Sequence, residues 1–363
     1  MTHEPRRLLV TGGTGFIGAN FILRALAARP QWRIVNLDKL TYAADPANLG
    51  AIAEDRRYRF IHGDVCDFDL LTGILTGERI DTVIHFAAES HVDRSIAEPA
   101  AFVRSNVAGT QTLLEACRSA WTRSQSRGVR FHHISTDEVF GSLASADPPF
   151  SEASAYAPNS PYSASKAAAD HFVHAYAHTY GIPAIITNCS NNYGPRQHPE
   201  KFIPTVIRKA LAGEAIPVYG SGTNVRDWLY VDDHCDALLT ALEHAPDGAR
   251  YCIGGGCEMS NIDLAHRLCS LLDDVRPGEK PHARLIQFVP DRLGHDFRYA
   301  IDGAKMRDEL GWSPSTRMDD GLRRTVAWYL AQIATAAAPA AEPGSLPRPA
   351  AGHSLLAGQT LPA

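Results

Sequence analysis

The chain has 363 residues, with 35 Lys and Arg against 40 Asp and Glu and a formal charge of −5. The acidic excess excludes the basic footprint of a nucleic-acid binder, and an apolar share of 45% excludes a disordered chain and leaves room for a large core or two lobes. Seven cysteines, at 66, 117, 189, 235, 252, 257 and 269, are odd in number and show no paired spacing. They point to a reducing cytoplasm and away from a disulfide framework or zinc site, so no metal is expected. No signal peptide and no apolar run of membrane-spanning length is evident, which predicts a cytoplasmic protein with no membrane partner.

Taken in chain order, Arg7-Leu8-Leu9-Val10 reads as a short buried strand. Gly12, Gly15 and Gly18 follow it, and residues 16–28 read as an amphipathic helix with Ile17, Phe21, Leu23 and Leu26 inward. Strand, glycine turn and helix is the order of a dinucleotide site: the glycines let the backbone approach a pyrophosphate, which meets free amides at the helix start. A second strand over residues 32–37 ends at Asp38, twenty residues after Gly18. A carboxylate there accepts from the adenosine ribose and repels a 2′-phosphate, which predicts NAD and not NADP.

Residues 58–65, 81–87 and 130–135 read as further strands alternating with helices. This predicts an α/β fold, a Rossmann-type doubly wound parallel sheet with a smaller, interleaved α/β lobe. Ligands bind outside the carboxyl ends of such strands, so Asp64, residues 87–90 and Thr136-Asp137-Glu138 should face one crevice. Tyr162 precedes Lys166 by one helical turn on one face, where an ammonium can favour the phenolate. A free phenol has a pKa of roughly 10, so a base near neutrality needs that charge, helped by a cationic nicotinamide. Two adjacent carboxyls, Asp137 and Glu138, suit an acid and a base, because repulsion and burial push one pKa up.

Beyond about residue 190 the pattern changes to short elements punctuated by Pro and Gly, including Pro217-Val218-Tyr219-Gly220. Residues 1–190 are expected to form the NAD-binding domain, with 229–255 and about 300–312 returning to it, and 191–330 mainly a smaller substrate lobe. A helix over 321–333 precedes an Ala- and Pro-rich tail, 334–363, with little expected structure.

These residues carry a resemblance. The chain is similar to the extended short-chain dehydrogenase/reductases, and among them to the dTDP-glucose 4,6-dehydratases, over residues 7–330. The stretches that carry it include Leu37-Asp38-Lys39-Leu40-Thr41-Tyr42, His85-Phe86-Ala87-Ala88-Glu89-Ser90-His91-Val92-Asp93-Arg94-Ser95, Ser135-Thr136-Asp137-Glu138, Asn191-Asn192-Tyr193-Gly194-Pro195, Arg226-Asp227-Trp228 and Asp291-Arg292-Leu293-Gly294-His295-Asp296. The Thr-Asp-Glu triplet separates dehydratases from related epimerases.

The resemblance implies conversion of dTDP-glucose to its 4-keto-6-deoxy product plus water. Tyr162 takes the C4 hydroxyl proton as hydride passes to NAD, with Thr136 holding that hydroxyl. Glu138 then removes the C5 proton, Asp137 protonates the departing C6 hydroxyl, and hydride returns to C6. It also implies a cofactor site including Phe16, Ile17, Asp38, Lys39, Leu40, Thr41, Asp64, Val65, Phe86, Ala87, Ala88, Ser105, Tyr162, Lys166 and Asn192. The implied substrate site adds Ser90, Asn191, Lys201, Phe202, Pro217, Tyr219, Arg226, Asn261, Arg292 and His295 to Thr136. A homodimer through helices in 97–120 and 160–180 is implied as well. Leu293, Phe140 and Phe86 stand where the family usually has Pro, Tyr and Leu. A UDP-glucose dehydratase, a 4-epimerase and a catalytically silent NAD-binding protein remain alternatives at this point, and one thymine methyl is worth only ~1 to 3 kcal/mol of discrimination between the first and dTDP-glucose.

Overall fold

The computed structural model describes residues 3–121 and 128–337. The chain runs β1 (Arg7–Thr11), α1 (Phe16–Ala28), β2 (Arg33–Asp38), β3 (Tyr58–His62), α2 (Phe68–Gly77), β4 (Thr82–His85), α3 (Val92–Ala97), α4 (Pro99–Phe102), α5 (Gly109–Ala120), β5 (Arg130–Thr136) and α6 (Pro161–Tyr180). It continues through β6 (Ala184–Cys189), β7 (Asn191–Tyr193), α7 (Phe202–Ala212), β8 (Ile216–Tyr219), β9 (Val225–Tyr230), α8 (Val231–His244), β10 (Arg250–Ile253) and β11 (Glu258–Ser260). Then follow α9 (Asn261–Val275), β12 (Ile286–Val289), α10 (Ala304–Leu310) and α11 (Met318–Ala337).

Seven strands form a parallel sheet in the order β10-β6-β5-β4-β1-β2-β3. Side chains alternate across it: Leu8, Val10, Ile34, Ile84 and Ile185 pack with α1 and α8 on one face, and Leu9, Val35, Val83, Phe131 and Ile186 with α2, α5 and α6 on the other. Both faces are covered, which is why the strands read as continuous apolar runs. Strand order reverses between β1 and β4, and that switch point opens the crevice of a doubly wound sheet.

Several strand ends differ from the sequence prediction, those of β1 and β2 by a single residue. β3 stops at His62 because its partner β2 stops at Asp38, opposite it. β4 stops at His85, opposite Thr11, where β1 ends, while β5 runs one residue further to Thr136 against Cys189 of β6. A ladder ends where its neighbour does, and only the pairing reveals that.

A second core, with Ile203, Val206, Ile207, Trp228, Leu264, Leu268, Leu322 and Val326, lies among α7, α9 and α11 and the small sheets β11-β9-β7 and β12-β8. The last helix is longer at both ends than the 321–333 predicted, so residues 334–337 of the predicted tail are helical. The rest of the predicted tail, 338–363, lies outside the described residues.

The glycine turn is sterically required. Gly12 has φ +71°, and a Cβ there would stand 2.6 Å from the Ala87 amide nitrogen. Gly12→Ala should destabilise the protein by about 1 to 3 kcal/mol, read by chemical denaturation, with loss of NAD binding by calorimetry.

Candidate functional site

The crevice holds a cavity of about 650 Å³ that brings together the two ends of the predicted site. All five predicted catalytic residues, Thr136, Asp137, Glu138, Tyr162 and Lys166, line it. So do Gly12, Gly15, Phe16, Ile17, Gly18, Asp38, Lys39, Thr41, Asp64, Val65, Phe86, Ala87, Ala88, Ser105 and Asn192 from the predicted cofactor set, and Ser90, Asn191 and Lys201 from the substrate set. Leu40 is outside it: it sits at φ 56°, and its amide donates to Asp38 Oδ1 at 2.9 Å.

Local sequence explains how the reacting groups are aimed. Thr136 ends β5 and caps a 3₁₀ turn, Asp137–Phe140, its hydroxyl accepting from the Glu138 amide at 3.3 Å. Ser160 and Ser163 form a reciprocal capping box that starts α6, Pro161 fits its first turn, and Gly181 at φ 72° ends it. Tyr162 and Lys166 are thereby turned toward the carboxyl end of β5.

Electrostatics separate the two carboxyls. Burial raises the Asp137 carboxyl well above the usual range, the Glu138 and Asp227 carboxylates raise it further, and Arg226 opposes. Its Oδ2 is buried with no hydrogen-bond partner among the described residues. Burial also raises Glu138, but Lys201, Arg226 and Arg292 pull it back toward ionisation against Asp296. One carboxyl is set to hold a proton and its neighbour to accept one.

The phenol corrects an expectation. Burial raises the Tyr162 pKa well above its ordinary value, and Glu138, Cys189 and Asp137 add to this, while the Thr136 hydroxyl opposes. Lys166 Nζ donates to the Ile134 carbonyl at 2.8 Å, stands 3.4 Å from His133 Nε2 and makes no hydrogen bond to the Tyr162 hydroxyl among the described residues. The protein alone raises this pKa, so the cation of a bound cofactor is what remains to lower it.

At the far end, Asp38 Oδ2 accepts from the Thr14 amide at 3.0 Å, which fixes the carboxylate over the glycine turn. Lys39 pairs with Asp64 at 2.7 Å. Ser105 lies in a wide helical turn, Val103–Ala108, between α4 and α5. The cradle left by the glycines, the carboxylate at the end of β2 and the length of the cavity fit NAD. Among the described residues no cluster could hold a metal ion and no helix is long and apolar enough to cross a membrane.

The remaining predicted substrate residues stand apart from that cavity. Tyr219 and His295 face each other at 6.4 Å between ring centres, and the Arg292 guanidinium lies 5.1 Å from the Tyr219 ring. Arg292 also pairs with Asp93, Nη2 donating to Oδ2 at 3.0 Å. Arg226 is buried and donates to the carbonyls of Val225 and Asp296 at 2.7 and 3.0 Å. Its charge bears on Asp137 and Glu138. Phe202 starts α7 and Asn261 starts α9, both half-buried, and Pro217 lies on β8. Sequence reasoning missed Asp227, buried beside Asp137 and accepting from the amides of Gly255 and Cys257 at 2.9 and 2.8 Å. It stands next to Arg226 in a motif already singled out, and a buried Asp there was the available signal. Glu89 also lines the cavity and carried the same signal, between Ala88 and Ser90, whereas His198 and Glu200 gave none.

Residues 9–325 match the family model described as GDP-mannose 4,6 dehydratase. The dTDP-glucose 4,6-dehydratase of Shigella flexneri is 50% identical over 336 residues, covering 90% of this chain and 93% of its own. That of Xanthomonas campestris pv. campestris (strain B100) is 52% identical over 327 residues, covering 89% and 92%. The crystal structure of the Streptomyces venezuelae dTDP-glucose 4,6-dehydratase, solved with NAD bound, superposes with TM-score 0.83 at 46% identity, covering 91% of this chain and 98% of that one. A UDP-glucose 4-epimerase of Thermotoga maritima superposes with TM-score 0.79 at 28% identity, covering 90% and 99%. A match this long, over a sheet and a cavity of this construction, means that the chain belongs to the GDP-mannose 4,6-dehydratase family of NAD-dependent sugar-nucleotide enzymes.

Proposed function

We infer that the protein catalyses the 4,6-dehydration of dTDP-glucose with NAD as its resident cofactor. The observation that carries this is the Thr136-Asp137-Glu138 turn beside Tyr162 in one cavity. Tyrosine and lysine alone serve an epimerase; an acid and a base beside them serve loss of water. Relatives that are half identical over nine-tenths of the chain are dTDP-glucose 4,6-dehydratases.

In this reading Tyr162 takes the proton of the C4 hydroxyl, which the Thr136 hydroxyl orients. NAD supplies the acceptor for the C4 hydride and the source from which it is returned to C6. The ketone at C4 acidifies the C5 hydrogen. Glu138 removes that proton, Asp137 gives its own to the C6 oxygen, and the C6–O bond breaks with release of water. Glu138 returns the proton to C5, leaving a 4-keto-6-deoxy sugar. Asp38 and Lys39 hold the adenosine end of the cofactor, the Gly12, Gly15 and Gly18 turn its pyrophosphate, and Lys166 its nicotinamide ribose. Lys201, Arg226, Arg292, Tyr219 and His295 hold the nucleotide of the substrate. We assign residues 1–190, with 229–255 and about 300–312, to the NAD lobe and most of 191–330 to the substrate lobe.

We also propose a homodimer built on α5 and α6. Val173 and Tyr176 of α6 pack against the sheet, whereas Phe172 is 38% exposed and Val103, before α5, is 57% exposed. An apolar pair on the outer face supports a helix contact with a second copy. Phe172→Asp should convert dimer to monomer in light scattering.

The central test follows loss of water by mass spectrometry from dTDP-glucose and UDP-glucose separately. The expected outcome is dehydration with about tenfold or greater preference for dTDP-glucose; no water loss from either overturns the reading. Glu138→Gln should slow dehydration by ~100-fold or more and accumulate the oxidised sugar with reduced nicotinamide, seen by absorbance, whereas Tyr162→Phe should show neither. Asp137 carries a sign of its own. Its folded pKa is raised above the unfolded value of 3.8, so its favourable contribution is complete below that value and is lost as pH rises through the folded one. Near neutrality Asp137→Asn, which has no proton to hold, should therefore raise Tm while slowing elimination.

A further inference from the structure

Beneath Tyr162 and Lys166 lies a closed cluster of buried polar groups that the dehydration steps above do not use. Asp170 is fully buried on α6, one turn beyond Lys166 and two beyond Tyr162, so the three share one face. Its Oδ2 accepts from Ser135 Oγ at 2.9 Å, Tyr156 OH at 2.6 Å and Asn188 Nδ2 at 3.2 Å. Its Oδ1 stands 3.1 Å from His133 Nε2, the same nitrogen that lies 3.4 Å from Lys166 Nζ.

This arrangement fixes the charges. A carboxylate ringed by donors stays ionised: burial raises Asp170, but His133, Lys166 and Tyr156 lower it further. His133 Nε2 stands between the two charges, 3.1 Å from Oδ1 and 3.4 Å from the ammonium, and Oδ1 has no hydrogen-bond partner among the described residues, so charge and proximity are what join it to this nitrogen. Burial and the Lys166 ammonium keep that ring neutral, with its pKa lowered to about 4. The imidazole is a neutral spacer between an ammonium and a carboxylate.

The groups that face Lys166 come from every element around it. His85 and His133 lie on β4 and β5, Cys189 on β6, and Tyr162 and Asp170 on α6 itself, with Asp137 and Glu138 facing Tyr162 from the turn after β5. Both histidines are held neutral by burial, and the Cys189 thiol is pushed up to about 12 and keeps its proton. Asp170 is thus the anion at hand for a buried ammonium whose nearest acceptor is a single backbone carbonyl.

We propose that Asp170, through His133, is a positioning residue for the redox step: its carboxylate is the buried counter-charge that keeps Lys166 protonated and turned to the Ile134 carbonyl, one helical turn beyond Tyr162. This rests on the reading of Tyr162 and Lys166 as the redox pair. Burial lowers the Lys166 pKa, and Asp170 is the first of the groups that raise it.

Asp170→Asn removes the charge and keeps the shape. Asp170→Ser is its companion, because a side-chain amide would present N–H groups to the three donors at Oδ2, and circular dichroism selects the folded variant. In cofactor-free protein, acylation of Lys166 from the cavity, read by peptide mass spectrometry, should be about tenfold or more faster than wild type near neutrality, as a pKa lower by one unit requires. In turnover, kcat should fall about tenfold with KM within about twofold, and the alkaline limb of the kcat profile should move to lower pH. Unchanged labelling and an unmoved limb in a folded variant overturn the proposal. Lys166→Ala separates the two levels: if it leaves C4 oxidation intact, the redox-pair reading fails; if it abolishes oxidation while the Asp170 variants behave as wild type, only the role of Asp170 fails.

Discussion

The ammonium of Lys166 donates to the Ile134 carbonyl at 2.8 Å, and that bond ties the helix carrying the phenol to the strand that leads into the Asp137-Glu138 turn. Everything chemical in the molecule is arranged around that junction of β5 and α6. β5 is central, in register with β4 on one side and β6 on the other, so the place where Thr136 leaves the sheet is held by two ladders. α6 is fixed at both ends by its capping box and its glycine stop. Two rigid elements meeting at one angle are what let side chains 26 residues apart act on one sugar carbon, and a loop in either place would not hold them.

Charge is distributed around this junction unevenly. Asp137 lies deeper, among other carboxylates, and Glu138 lies under the influence of Lys201, Arg226 and Arg292, three cations from three separate segments of the chain. The pKa of Asp137 is raised well above its ordinary value and that of Glu138 is raised against three opposing cations, although aspartate is intrinsically the stronger acid of the two, so their surroundings set them apart. The cations do double service. In the proposed function these same cations hold the nucleotide of the substrate, and in that reading nucleotide binding is electrostatically linked to the state of Glu138.

Much of this was legible in the sequence, and what was not has a physical pattern. Strands buried on both faces, glycines next to a first strand, an acid at the end of a second and Tyr162 one turn before Lys166 are local signals, and the structure gathers them in one cavity. The ends of β3, β4 and β5 were misplaced because a ladder's length is decided by its neighbour. Pairing of Asp93 with Arg292 spans 199 residues and has no local signature. Arg226 was expected in the substrate site, and nothing local in the sequence shows that its guanidinium also donates to the carbonyls of Val225 and Asp296. Asp170 is the opposite case. Its spacing from Lys166 was visible, but a carboxylate four residues after a lysine on a helix is ordinarily a solvated pair, and only burial makes it otherwise.

The fold on its own says little about which reaction takes place. An epimerase shares the sheet and superposes nearly as well as a dehydratase, so architecture establishes cofactor chemistry at C4 and no more. Loss of water needs a proton removed at C5 and another delivered at C6, on neighbouring carbons, by groups that stay in place while the C4 carbonyl persists. A single 3₁₀ turn at the end of β5 meets that demand, because consecutive residues in so tight a turn project to different points of the same small volume. The difference between inverting a sugar carbon and dehydrating the sugar thus comes down to what two adjacent side chains at one strand end can donate and accept.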